Sequence, residues 1–370
     1  MALIPRATFE QIRQQRLEEI AAERKQGRKV VGYFCIYAPV EVVQAAGATP
    51  VRLMRGGQAA EERGERYLRA DACSFCNACM GNFELEPFYK QVDAVVAVNT
   101  CDMMRRLPES IERHFGTPVY QLYLPRTSES LPHRVAEFRR QLDELANRLA
   151  RLTGAALSAE RLDLEIAAFN RLRDVLRQVS DTRRVSSPVL SGSTMLDLEA
   201  TAWLLGPVKA VSLIDEVLRI IAARPRSNAH RPRLMLGGSM LAEDDRWLLK
   251  MVEEKADTVT DILCTGTRWF SDDVPAEGAP LDRLARFYYG RPCMHRRPNT
   301  EMYKYAQRMA REFRVEGLVY KTLLYCDPYA FEVRRLQEAL GIPTLCLDTD
   351  YSIENREQVR TRVEAFVETL

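Results

Sequence analysis

Short apolar runs alternate with amphipathic stretches at two separate places in this chain, and that alternation leaves few folds open. Two parallel strands cannot be joined by a tight turn and need a crossover, usually a helix, so strand, helix and strand in succession spell a parallel sheet. KVVGYFCIY, PVEVVQAAG and TPVRLM form one such unit, with Pro39 suited to a first helical turn and Gly47 to a helix end. VDAVVAVN, DMMRRLPESIERHFG and TPVYQLYLP form the next, the middle segment reading as largely helical despite Pro108. The grammar resumes at PRLMLGGSM and runs through TVTDILC, GLVYKTLLYC and IPTLCL, with helical patterns between them and REQVRTRVEAFVETL at the end.

From residue 133 to about 224 the strand signal disappears and helical periodicity takes over, interrupted by SPVLSGSTM, where Ser191, Gly192 and Ser193 read as an ordinary loop. A chain of 370 residues exceeds what one core usually serves, so more than one domain is expected. The predicted organisation is an N-terminal helical segment (1–27, with a helix over Phe9 to Lys25), a first α/β domain (28–132), a helical region (133–230) and a second α/β domain (231–370). The fold class is α/β, with two Rossmann-like open parallel sheets joined by the helical region.

With 53 basic and 51 acidic side chains the net charge is only +2, which gives no broad electrostatic reason to bind nucleic acid. No uncharged apolar run reaches the roughly 18 to 20 residues a membrane span needs, and MALIPRATFEQIRQQR lacks the apolar core of a signal peptide. The expectation is a cytoplasmic protein.

Nine cysteines stand at 35, 73, 76, 79, 101, 264, 293, 326 and 346. An odd number without an export signal argues against a disulfide framework. Cys346, in IPTLCL, suits a buried structural role. CSFCNAC places Cys73, Cys76 and Cys79 three apart, so one loop or helical turn can direct several soft thiolates at one metal, as iron-sulfur clusters and zinc both require. Cys101 and Cys326 each precede Asp at a predicted strand end, and Cys264 also ends a strand, on the sheet edge where open parallel sheets bind ligands. A Cys-ligated iron-sulfur site, a zinc site and unconnected cysteines all remain open on these residues alone. Histidines 114, 133, 230 and 295 form no HExxH, there is no Walker A run, and LGGSM lacks the GxGxxG spacing of a dinucleotide site. A thiol nucleophile has no histidine close in sequence to activate it.

VVGYFCIYAPVEVVQAAGATPVRL, ACSFCNACMG, NTCDMMRRL, LSGSTML, DILCTGTRWF, RPCMHRR, LLYCDPYAFE and GIPTLCLDTDYS, in that order, resemble the 2-hydroxyacyl-CoA dehydratase D-component and benzoyl-CoA reductase family over nearly the whole chain. The resemblance implies an oxygen-sensitive enzyme subunit with two α/β domains around a 4Fe-4S cluster. It implies Cys73, Cys101 and Cys326 as ligands, with Cys76, Cys79, Cys264 and Cys293 as possible alternatives. It further implies one-electron reduction of an acyl-CoA thioester, the electron coming from a separate ATP-dependent iron-sulfur activator, and a related second subunit. In dehydratases the product is a ketyl radical that expels hydroxide; in benzoyl-CoA reductases the electron begins ring reduction. A double-cubane 8Fe cluster reductase acting on small substrates is the alternative within the family, and a non-enzymatic electron-relay or metal-binding subunit the alternative outside enzymes. Tyr329 replaces the histidine frequent in the family's CDPHAF pattern. Arg105, Arg106 and Arg268 flank the cysteine motifs and are candidate coenzyme A contacts.

Overall fold

The computed structural model describes residues 4–225 and 230–370. Residues 1–3 of the expected N-terminal segment, and residues 226–229 next to the expected boundary at 230, lie outside the described residues. The first sheet contains β1 (Val30–Tyr33), β2 (Thr49–Arg52), β3 (Ala94–Val98) and β4 (Val119–Leu122), all parallel in the order β2-β1-β3-β4. The second contains β5 (Arg233–Gly238), β6 (Asp257–Asp261), β7 (Gly317–Leu323) and β8 (Thr344–Thr349), again parallel and in the equivalent order β6-β5-β7-β8. Both sheets are therefore the α/β architecture expected, with a helical stretch between them.

Every residue of β1, β3, β5 and β7 is buried, which is why these strands read as continuous apolar runs instead of alternating ones. In each sheet the chain leaves the central strand to one side and then crosses to the other, so the switch points lie between β1 and β3 and between β5 and β7. Loops leaving neighbouring strands part there and open a crevice at the carboxyl edge.

Four helices, Pro132–Thr153, Ala159–Asp181, Gly192–Leu205 and Pro207–Ala222, make up the layer between the sheets. The stretch read as a loop at Ser191, Gly192 and Ser193 is instead the start of the third of them. Ser191 is its N-cap, its hydroxyl accepting from the Thr194 amide at 3.2 Å, and Gly192 already belongs to the helix. That helix is buried from Gly192 to Trp203 and touches both β2 and β6, so it joins the edges of the two sheets. An added Cβ at Gly192 would lie 2.7 Å from Thr258, which explains a glycine at this crossing. The N-terminal helix Arg6–Lys25 packs on the same helix, with Arg13 Nη1 donating to Thr201 Oγ1 at 3.0 Å. Among the described residues no helix is long and apolar enough to cross a membrane.

Candidate functional site, a thiol-lined cleft

Three of the singled-out cysteines stand where a helix begins. Cys73 caps Ser74–Leu85, Cys101 caps Asp102–Phe115 and Cys326 caps the short turn Asp327–Ala330. A helix start leaves backbone N–H groups without helical partners, and these favour a negative sulfur. At Cys101 the contact is direct, with the Met104 amide donating to Sγ at 3.3 Å. CSFCNAC is thus the head of a helix and not a cysteine-rich loop. Tyr325 turns the chain into Cys326 through a left-handed backbone conformation, φ 62°, and the Ser74 amide donates to Leu324 O at 3.3 Å, tying the Cys73 helix to the loop that carries Cys326.

The two carboxyl edges face one another across a cleft of about 80 Å³. Cys35, Cys73, Cys76 and Cys101 line it from the first sheet's side, and Cys264, Cys293 and Cys326 from the second's. Phe34, Ile36, Phe75, Met240 and Leu323 supply an apolar remainder of its wall. Cys79 does not reach the cleft: it is fully enclosed in the core behind the first sheet, and burial pushes its thiol well above the usual range. Cys346 is half-buried on β8, accepting from Gln337 Nε2 at 3.4 Å, and is therefore less enclosed than its sequence context predicts.

Cys73 is held well below the ordinary thiol range by the Cys326 and Cys76 thiols beside it, and the same contacts push those two well up. Burial lifts Cys101 to about 11 and Cys35 to about 12. Among the described residues no three His, Cys, Asp or Glu side chains are grouped closely enough to hold a single metal ion. Thiols of an iron-sulfur cluster each bind a different iron atom and need not converge on one point, so a ring of thiols around an apolar cleft fits such a cluster in donor chemistry.

The three arginines expected to form a coenzyme A patch do not come together. Arg105 and Arg106 lie exposed on the helix after Cys101, Arg106 paired with Glu109 at 3.1 Å. Arg268 is fully buried behind the cleft, its Nη1 donating to Pro292 O at 3.0 Å and its Nη2 to the Tyr329 hydroxyl at 2.9 Å.

Cys35, His295 and Tyr329 also line the cleft and were not assigned to it from sequence. Cys35 reads as part of the strand KVVGYFCIY, yet β1 ends at Tyr33, which places Cys35 just past the carboxyl edge as Cys101 is past β3. That equivalence was the available signal. His295 has no signal of its own in the sequence. Its ring meets Tyr329 edge-on at 5.5 Å, its Nδ1 is buried without a partner, and burial with the nearby Arg268 charge lowers it to about 3, so it is neutral at ordinary pH.

Two matched parallel sheets with seven thiols gathered between their carboxyl edges define an α/β protein with a thiol-lined cleft between its sheets. Residues 35–370 match the model of the 2-hydroxyglutaryl-CoA dehydratase D-component family, and the chain belongs to that family. It is 28% identical to YjiM of Escherichia coli (strain K12), named provisionally as a dehydratase subunit, over 98% of this chain and 97% of that protein. It is 23% identical to the (R)-phenyllactyl-CoA dehydratase beta subunit of Clostridium sporogenes, covering 93% and 92% of the two chains. With a benzoyl-CoA reductase subunit from Thauera aromatica the identity is 24%, over 84% and 82%. The chain is accordingly an enzyme subunit of the acyl-CoA dehydratase and reductase kind.

Proposed function

We propose that the cleft holds an iron-sulfur cluster and that the chain works as the cluster-bearing subunit of a radical-type dehydratase or reductase. Low-potential electrons come from a separate ATP-dependent iron-sulfur activator, and a second related chain completes the enzyme. The observation that carries this reading is the meeting of Cys73, Cys101 and Cys326, from two sheets, on one cleft with a largely apolar wall. These three are the proposed ligands. A bound cluster of this kind supplies single electrons at low potential, tuned by hydrogen bonds to its sulfurs and by solvent exclusion.

The number of thiols bears on the choice between the two cluster types. One cubane takes about four cysteines at most. Seven line this cleft, Cys35, Cys264 and Cys293 in addition to Cys76 and the three proposed ligands. This favours the double-cubane reading, an eight-iron centre reducing a small substrate, over a single cubane acting on an acyl-CoA. The chain's own residues then hold the centre with cysteine sulfurs, shield it with the apolar wall, and present Tyr329 and neutral His295 as uncharged hydrogen-bonding groups beside it.

Anaerobic purification followed by iron, sulfide and electron paramagnetic resonance measurements tests both statements. About eight iron atoms per chain are expected, and about four would restore the single-cubane acyl-CoA reading. Ser at Cys73, Cys101 or Cys326 should remove or strongly alter the cluster signal, whereas Cys79→Ser should leave it. An unchanged cluster in all three variants would refute the ligand assignment, and zinc without sulfide would overturn the redox function.

A further inference from the structure

Arg52 is the last residue of β2, on the edge of the first sheet, and its side chain crosses to the second half of the molecule. Nη1 donates to Cys264 O at 2.9 Å, and Nη2 stands 3.5 Å from Cys264 Sγ. The guanidinium lies over Trp203, 3.9 Å from the ring centroid, on the helix that joins the two sheets. It is 7% exposed, its Nε is buried without a partner, and among the described residues no carboxylate lies within ion-pair distance of it. Glu199 is the acid that feels its charge from beyond contact distance, and a buried cation without a contacting counter-charge is costly, so an apolar residue of similar volume would serve packing better than Arg does here. The one group that its free hydrogen-bonding edge meets, apart from a carbonyl, is a sulfur.

Cys264 also differs from its neighbours in the cleft. Cys73, Cys101 and Cys326 each head a helix, whose N–H groups can meet a negative sulfur. Cys264 sits two residues before Gly266, the cap of the short turn Thr267–Phe270, and its sulfur meets a guanidinium from the opposite sheet instead. We infer that Arg52 is the positioning residue for Cys264, supplying from the opposite sheet the positive hydrogen-bond donor that Cys101 takes from a helix start, and that, with Cys264 among the ligands of an eight-iron centre, it thereby raises the reduction potential of that centre. The inference rests on the reading of the cleft as an iron-sulfur site. Its physical basis is that a donor and a positive charge at a ligand sulfur stabilise the reduced, more negative state. Stacking on Trp203 fixes the plane of the guanidinium, as arginine allows and lysine does not.

The test uses the full chain, purified anaerobically, with Arg52→Gln, Arg52→Lys and Trp203→Leu. The readouts are iron and sulfide content, thermal melting, and the midpoint potential from a redox titration followed by electron paramagnetic resonance. Arg52→Gln should shift the midpoint to a more negative value, and Arg52→Lys, which keeps the charge but not the paired donors, should recover part of the shift. Trp203→Leu, which leaves the guanidinium but removes its platform, should move the midpoint in the same direction by less. A purely structural role would lower the melting temperature of the variants and leave the midpoint where it was. An iron-loaded Arg52→Gln with the wild-type midpoint overturns the inference while leaving the cluster reading intact. If Arg52→Gln does not fold, an unmoved midpoint in folded Trp203→Leu overturns it equally. A wild-type chain that holds no iron brings down the cluster reading and the role of Arg52 with it.

Discussion

Tyr329 occupies the position where the family's pattern frequently has histidine, and its surroundings show what the hydroxyl is for. It accepts from Arg268 Nη2 at 2.9 Å and lies 3.9 Å from Cys293 Sγ, so it connects a buried cation to the cleft. Arg268 Nε already lacks a partner. Tyr329→Phe should leave Nη2 unsatisfied as well and cost about 1–3 kcal/mol in denaturant unfolding, a loss that a hydroxyl exposed to water would not produce. Glu199 is a second buried group whose removal has a definite sign. Burial, and then the Asp261 charge, hold its pKa well above the ordinary carboxyl value, with Oε1 unpartnered. Between the unfolded value near 4.5 and the raised folded value, the native state binds the extra proton, so stability falls as pH climbs through that window. Each tenfold change in proton affinity is worth about 1.4 kcal/mol. Glu199→Gln should therefore melt higher than the wild type at pH 8 and close to it at pH 4; equal melting curves at pH 8 would contradict the assignment.

At the scale of helices, the thiols depend on an unusually close packing between Gln58–Gly64 and Ser74–Leu85. A Cβ at Gly64 would fall 1.8 Å from Asn77 O, and one at Gly81 would fall 1.8 Å from Ala60 O, so backbone meets backbone at both points. Gly81→Ala must push apart the helix that carries Cys73 and Cys76. The expected result is a loss of at least about 1–3 kcal/mol together with reduced iron loading, measured on the same preparation. Normal loading in the alanine variant would show that the thiols tolerate a displaced helix. The strands and long amphipathic helices were legible because burial imposes their periods on the sequence. Gln58–Gly64 was not, since AAEERG carries charges and too few turns to show a stripe. Gly192–Leu205 was hidden for the opposite reason: buried along nearly its whole length, it has no polar face, and its Ser-Gly-Ser start looks like a turn when it is a cap.

Over the whole molecule, the cleft was foreseeable from chain order, because cysteines after β3, β6 and β7 share the edge where parallel sheets bind ligands. The pairing of Arg52 with Cys264 was not, since it joins residues 212 apart whose contact depends on how the two sheets are set against each other. The halves are held by further long-range links, among them Glu41, buried between Arg173 and the Tyr288 hydroxyl, the latter at 2.6 Å. Because the proposed ligands come from both sheets, any group they hold stabilises the closed arrangement by its binding free energy. The iron-loaded chain should melt higher than the iron-depleted one, and its amides near Cys73, Cys101 and Cys326 should exchange more slowly with deuterium; identical exchange in both states would mean that the group does not span the seam. The same division of the thiols sets an order of events at the ribosome. Cys35, Cys73 and Cys101 emerge first, while Cys264, Cys293 and Cys326 follow only after the whole helical layer has been made. A half-synthesised polypeptide can offer sulfurs to passing iron but has nothing to close over it. With the proposed ligands divided in this way, only a completed translation product should keep the metal through a wash with a competing chelator, and retention of iron would then report that both halves were made and joined.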